Sequence, residues 1–285
     1  MKRSEIGIRD PYILLANGQY YMYGTRNTTA WGPADGFDVY VSDDLEEWNG
    51  PIEVFHNDGS FWATENYWAP ECIYYRKNYY LIATFGSPDR KKGIQILKSE
   101  QPTGPFHTFT DGPLTSEKWN CIDGTVYVDE QGIPWMIFSH GIPEEPRGAM
   151  CAAKMKEDLS GFTENPHILF FADEASWAEP IPFAKAEFGL EGDVYFSDGP
   201  FVFRADSGEL CMIWSSWGTK GYAIGVARSE TGSIPGPWKQ DNTPLYSENG
   251  GHGMILRTRN GEQKLVLHYP NDRFQERAIL ENITI

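Results

Sequence analysis

Residues 10–27 read DPYILLANGQYYMYGTRN: an apolar run, an Asn17-Gly18 step, then a run of aromatics going back the other way. Asn-Gly between two such runs is a hairpin signature, because both central residues of the tight turn need positive φ. The same figure returns four times. It reads PECIYYRKNYYLIATFGS from Pro70, turning at Lys77-Asn78, and DGTVYVDEQGIPWMIFSH from Asp123, turning at Glu130-Gln131-Gly132. It reads DGPFVFRADSGELCMIWSS from Asp198, turning at Asp206-Ser207-Gly208, and GHGMILRTRNGEQKLVLHYP from Gly251, turning at Asn260-Gly261.

A second strand-like pair follows each of the first four copies: GFDVYVSDDLEEW (36–48), GIQILKSEQPTGPF (93–106), GAMCAAKMKEDLSGF (148–162) and GYAIGVARSETGSIPGPW (221–238). Three of these close on a turn that ends in an aromatic, at Trp48, Phe106 and Trp238. Each unit therefore offers four short strands, and five repeats of a four-strand module specify an all-β, five-bladed β-propeller with antiparallel blades. A β-sandwich also has short strands at regular turns, but it does not repeat a whole module five times. The fifth unit is short, with only ERAILENITI (276–285) after its hairpin. The residues before Asp10 are expected to supply its missing strand and close the ring, hiding both sheet edges. The chain is expected to be one domain, residues 1–285.

Composition agrees. Sixteen Phe, 15 Tyr and 10 Trp beside 29 Gly and 19 Pro suit short strands and tight turns. Forty acidic against 24 basic residues give a net charge of -16, which repels phosphate backbones and excludes nucleic acid as a partner. The four cysteines, at 72, 121, 151 and 211, show no CxxC or Cys/His spacing, so neither a disulfide framework nor a zinc site is indicated. No run approaches membrane-spanning length, so no membrane partner is expected. The start, MKRSEIGIRDPYILL, lacks the apolar core of a signal peptide, which reads as cytoplasmic, or as secreted with a trimmed leader. Oligomeric state is left open.

In a propeller the first residues of each innermost strand meet near the axis. Those heads read Arg9-Asp10-Pro11, Ala69-Pro70-Glu71, Ile122-Asp123-Gly124, Ser197-Asp198-Gly199 and Gly251-His252-Gly253. Four carry a carboxylate and the fifth a histidine. A single Asp before a strand often does no more than end a turn. All five heads are ionisable, and carboxylates clustered on one axis repel one another, a cost that points to use. Glycoside hydrolysis uses such a cluster: one carboxylic acid protonates the leaving oxygen, and a second carboxylate activates water or attacks carbon. Trp31, Tyr67-Trp68, Trp119, Trp177 and Trp217 lie near the heads and could stack on sugar faces. Of these, Trp31, Trp68 and Trp217, with Glu71, are the expected substrate-binding residues.

At these residues the chain resembles glycoside hydrolase family 43. The matching elements are RDPYILLANGQYYMYGT, WAPECIYYRKNYYLIATF, IDGTVYVDEQGIPWMIF, SDGPFVFRADSGELCMIWSS and GGHGMIL, in family order. The resemblance implies a five-bladed propeller and an inverting hydrolase, in a family of mostly α-L-arabinofuranosidases, β-xylosidases and endo-arabinanases. It implies that Asp10 is the general base and that Asp123 tunes and orients the acid. His252 matches a position that often lies near calcium on the axis, so a structural calcium is a possible ligand, while the chemistry itself requires no cofactor. The family usually places a Glu where this chain has Asp198. Asp198 is the expected acid, with Glu191, Glu144 and Glu145 as substitutes. The leading function is exo-acting hydrolysis of arabinofuranosyl or xylosyl linkages. The competing readings are a carbohydrate-binding propeller that has lost its acid, and a transferase or phosphorylase. A phosphorylase needs cations converging on the axis, and only Arg9 and His252 stand there.

Overall fold

Asn17 and Gly18 both take positive φ (52° and 79°) and reverse the chain between strands β1 (Ile8–Ala16) and β2 (Gln19–Arg26), the tight turn the Asn-Gly step calls for. With β3 (Gly36–Ser42) and β4 (Asn49–His56) these form blade 1 of the computed structural model, which covers residues 1–285. Blade 2 is β5 (Glu65–Tyr75), β6 (Asn78–Ser87), β7 (Arg90–Ser99) and β8 (His107–Thr108). Its turn falls at Arg76-Lys77, one residue before the expected place, because these two take the positive φ values. Blade 3 is β9 (Cys121–Val128), β10 (Pro134–His140), β11 (Ala149–Lys154) and β12 (His167–Phe171). Blade 4 is β13 (Asp198–Arg204), β14 (Leu210–Gly218), β15 (Gly221–Ser229) and β16 (Trp238–Gln240). Blade 5 is β17 (Gly251–Arg257), β18 (Gln263–Tyr269) and β19 (Arg277–Asn282). Every blade is an antiparallel meander, so the fold is the five-bladed β-propeller. Helix is confined to α1 (Ala184–Phe188) and two 3-10 turns.

The apolar core is divided among the blade interfaces. Tyr23 and Phe37 of blade 1 pack with Leu81 and Phe85 of blade 2. Ile82 and Ile94 pack with Met136 and Phe138 across blades 2 and 3. Ile137 and Met150 meet Met212 and Trp214 across blades 3 and 4, and Ile213 and Ile224 meet Leu265 and Leu267 across blades 4 and 5. Ile13 and Met22 meet Met254 and Val266 where the ring closes. Each blade buries both faces against neighbours, so its inner strands are apolar on both sides and show little alternation. The four cysteines are free and buried within this packing. Trp48, Phe106 and Trp238 are buried too, as the aromatic ends of their turns required.

Closure differs from the expectation. Blade 5 keeps three strands, and the N-terminal residues do not form a fourth. Gly7 alone bridges to Arg277, and the Ile8 amide donates to the Glu276 carbonyl. Farther out, Lys2 bridges to Glu47 and the Arg3 amide donates to Glu46, so the segment turns onto blade 1 instead. The 3-10 turn at Arg3–Glu5 ends any ladder, and packing of Ile6 and Ile8 completes the seam.

Candidate active site

Every innermost strand carries the same irregularity at its head. The pairing register of β1, β5, β9, β13 and β17 skips two residues, which are Asp10-Pro11, Ala69-Pro70, Asp123-Gly124, Gly199-Pro200 and His252-Gly253. The first of each pair is left-handed, with φ of 51°, 46°, 59°, 51° and 49°. Such strained bulges re-aim side chains at functional sites. The equivalent positions are therefore Asp10, Ala69, Asp123, Gly199 and His252. Asp198 stands one residue earlier, and Glu71 two residues later.

That offset builds two tiers. Asp10, Asp123 and His252 face a recess of about 80 Å³. The residues just before the bulges, Arg9, Trp68, Ile122 and Asp198, line a wider cavity of about 640 Å³ that opens above it. Arg9, Trp31, Trp68, Ile122, Asp198 and Tyr222 border both. The structure thus brings Asp10, Asp123, Asp198 and His252 together, with Trp31, Trp68 and Trp217 around them. It does not bring Glu71 there: that side chain is buried farther along β5, with Oε2 unpartnered and outside both linings. Glu191 is exposed and pairs with Lys185, Glu144 pairs with Lys91, and Glu145 lies on the surface, so none of the three reaches the cavity. Tyr67 is core, Trp119 stacks on His140 at 4.3 Å, and Trp177 packs on Trp214.

The bulges are pinned from the neighbouring blade. Thr25, Thr84, Ser215 and His268 stand on second strands, and each accepts the amide proton of the next blade's bulge residue: Ala69 (2.8 Å), Asp123 (2.8 Å), His252 (2.9 Å) and Asp10 (3.2 Å). The Gly199 amide instead donates to Asp123 Oδ2 at 3.2 Å, while Ser139 contacts Ser197. Only glycine suits that position: a Cβ on Gly199 would lie 2.8 Å from the His252 ring.

Asp10 accepts from Thr25 Oγ1 at 2.6 Å. Burial opposes its ionisation, but His252, His268 and Arg9 outweigh this and hold the carboxyl well below the usual range. His252 Nδ1 lies 3.4 Å from Asp10 Oδ1 and 3.7 Å from Asp123 Oδ2. Burial lowers this imidazole to about 4, against the opposing pull of the Asp10 charge. His268, wholly buried, has its Nε2 3.1 Å from Asn271 Oδ1 and its Nδ1 3.3 Å from Asp10 Oδ1. Asp198 is the opposite case. Burial raises it to about 7, Asp10 adding to the rise, against the Tyr222 hydroxyl that donates to Oδ2 at 3.1 Å and the charge of Arg9. Asp123 is also raised, by burial and by the charges of Asp198 and Asp10.

The donors around His252 do not fit a directly bound calcium. Calcium asks for six to eight oxygens. No three His, Cys, Asp or Glu side chains here are arranged to hold a metal, and the imidazole Nδ1 faces the Asp10 and Asp123 carboxylates at 3.4 and 3.7 Å. Several site residues escape sequence reasoning. Tyr222, His268 and Asn271 belong to the second and third strands of their blades or the connection between them, and the buried Glu276 holds Arg9 at 2.7 Å. Glu65 at the start of β5 and Lys92 near the start of β7 also line the cavity, and Phe183 and Arg273 reach it from connections.

No helix of the protein is long and apolar enough to cross a membrane. Residues 5–284 match the model of Glycosyl hydrolases family 43. The structure is similar to an endo-arabinase from Bacteroides thetaiotaomicron VPI-5482, at 34% identity and TM-score 0.90, covering 100% of this chain and 97% of that one. Curated relatives include extracellular endo-alpha-(1->5)-L-arabinanase 1 of Bacillus subtilis, 27% identical over 141 residues, covering 46% of this chain and 42% of that protein. Another is beta-D-galactofuranosidase xynD of Aspergillus niger, 26% identical over 181 residues, covering 56% of this chain and 52% of that protein. The chain spans about half the length of the curated relatives it matches. The word extracellular in the Bacillus subtilis name lends no support to a cytoplasmic location. With the match running from residue 5 to residue 284 of a five-bladed propeller, the chain belongs to glycosyl hydrolases family 43.

Proposed function

We propose that the protein hydrolyses α-L-arabinofuranosyl linkages with inversion, removing units from a chain end, with xylosyl linkages the second choice. The observation that carries the reading is the split between two carboxyls of one site: Asp10 held ionised, Asp198 held up at about 7. Environments that push paired carboxyls apart define a base and an acid. Asp10 takes a proton from a water as its oxygen attacks the anomeric carbon. Asp198 gives its proton to the leaving oxygen as the glycosidic bond breaks on the opposite face. Asp123 holds the Gly199 amide and so fixes the backbone next to the acid, and its charge state bears on Asp198. Trp31 and Trp68 line the cavity in which the sugar would sit. The preference for arabinose rests on the likeness to the Bacteroides endo-arabinase. The raised Asp198 speaks against a binding module that has lost its acid.

The test is a panel of nitrophenyl α-L-arabinofuranoside, β-D-xyloside and β-D-galactofuranoside beside linear α-1,5-linked arabino-oligosaccharides. The first-formed anomer is read by proton NMR. Arabinose released as the β anomer supports the proposal; the α anomer, or no hydrolysis of any arabinoside, sinks it.

A further inference from the structure

The connection between β12 and β13, residues 172–197, is the longest in the chain, and it is not a loose loop. Ile181, Ala184 and Val194 are buried in a small core of their own, flanked by Phe183, Phe196 and Trp217. Three backbone hydrogen bonds of 2.8 Å tie it down: Ile181 to Val194, Glu179 to Trp217 and Tyr195 to Pro146. The wall carries α1, whose Glu187 and Phe188 face the cavity. Glu187 Oε1 lies 3.4 Å from Nη2 of Arg273, which sits on the β18–β19 connection of blade 5. The Arg273 guanidinium in turn lies 4.8 Å over the ring of Trp31, on blade 1. A line of contacts therefore runs along the rim from the blade 3–4 wall, across blade 5, to blade 1. Across the cavity the blade 2 side is bounded by a short turn. The β6–β7 connection of blade 2 is the two-residue turn Pro88-Asp89, with Ser87 and Arg90 already paired.

We propose that the Arg273–Glu187 pair bars the blade 4–5 end of the sugar groove, so that a chain enters and leaves only over blade 2 and is shortened from its end. This deepens the proposed function and rests on that reading. Both side chains are about half exposed, 57% and 46%, so the pair adds little to folding stability and its attraction weakens with salt. Specificity of this kind is removable without unfolding the blades.

The experiment uses linear α-1,5-L-arabinan and reads viscosity loss per reducing end released, which is low for end-wise and high for internal cleavage. Wild type is expected to be low. Arg273→Ala and Glu187→Ala should each raise the ratio by about fivefold, the factor that one exposed pair can supply. The exchanged pair, Glu187→Arg with Arg273→Glu, should bring it back down. High salt should move wild type towards the single variants and leave Glu187→Ala where it is. A wild type that thins the solution as fast as an internal cutter overturns the proposal, as do single variants with the wild-type ratio or an exchanged pair that stays high. No reducing ends from any arabinoside is a different result: it removes the hydrolase reading itself, and the groove argument with it.

Discussion

Replacing Tyr222 by Phe removes one hydroxyl and keeps the ring that stacks on His268 at 5.7 Å. That hydroxyl donates to Asp198 Oδ2 at 3.1 Å and stabilises the ionised acid. A hydrogen bond to a charged group is worth about 1.5–3 kcal/mol, and 1.36 kcal/mol corresponds to one pKa unit. Its loss should raise Asp198 from about 7 by about one to two units, an upper range because a tyrosine hydroxyl also contacts the protonated acid. Asp198 acts in its protonated form, so a higher pKa keeps it active to higher pH. The basic limb of kcat/KM on an arabino-oligosaccharide should move upward, and the acidic limb should stay in place. A basic limb that stays put, or moves down, would refute the assignment of Asp198 as the group titrating there.

Asp10→Asn keeps the shape of the base but cannot take a proton, and it should cost about 10²–10⁴-fold or more in kcat on every substrate. Gly199→Ala puts a Cβ 2.8 Å from the His252 ring at a φ of +51°, so both Tm and kcat should fall, and an unchanged Tm would contradict the crowding. Asp198→Asn should stabilise the fold at alkaline pH. The folded pKa lies above the unfolded value, so the wild-type carboxyl contributes stability at low pH that is lost as pH rises towards 7. The variant's Tm should exceed wild type at pH 8 and match it near pH 4.

The propeller was legible because each blade repeats a hairpin whose turn chemistry is local, as at Asn17-Gly18. The closure was not, since whether residues 2–8 join blade 5 or blade 1 depends on tertiary packing of Ile6 and Ile8. The heads of the inner strands showed where charge gathers but misaligned two of them. Glu71 looked equivalent to Asp10 by its place after Pro70, whereas the bulge puts Ala69 there. Register cannot be seen before the strands are paired. The sequence does carry a signal for His268. Thr25, Thr84, Ser139, Ser215 and His268 stand opposite Arg9, Trp68, Ile122, Asp198 and Gly251, so a small hydroxyl recurs on four second strands and is replaced by His on the fifth. The residue that breaks such a series is the one beside the base. Glu187 and Arg273 had no comparable signal, because their meeting depends on the path of a connection 86 residues away in sequence.

The central claim is that Asp198, shorter by one methylene than the family's usual Glu, donates the proton. Asp198→Asn should be compared with wild type on 2,4-dinitrophenyl α-L-arabinofuranoside, whose leaving group needs little protonation, and on arabinotriose, whose leaving alcohol needs it. The variant should show a modest loss on the first and a far larger loss in kcat/KM on the second. Equal losses on both substrates would contradict it.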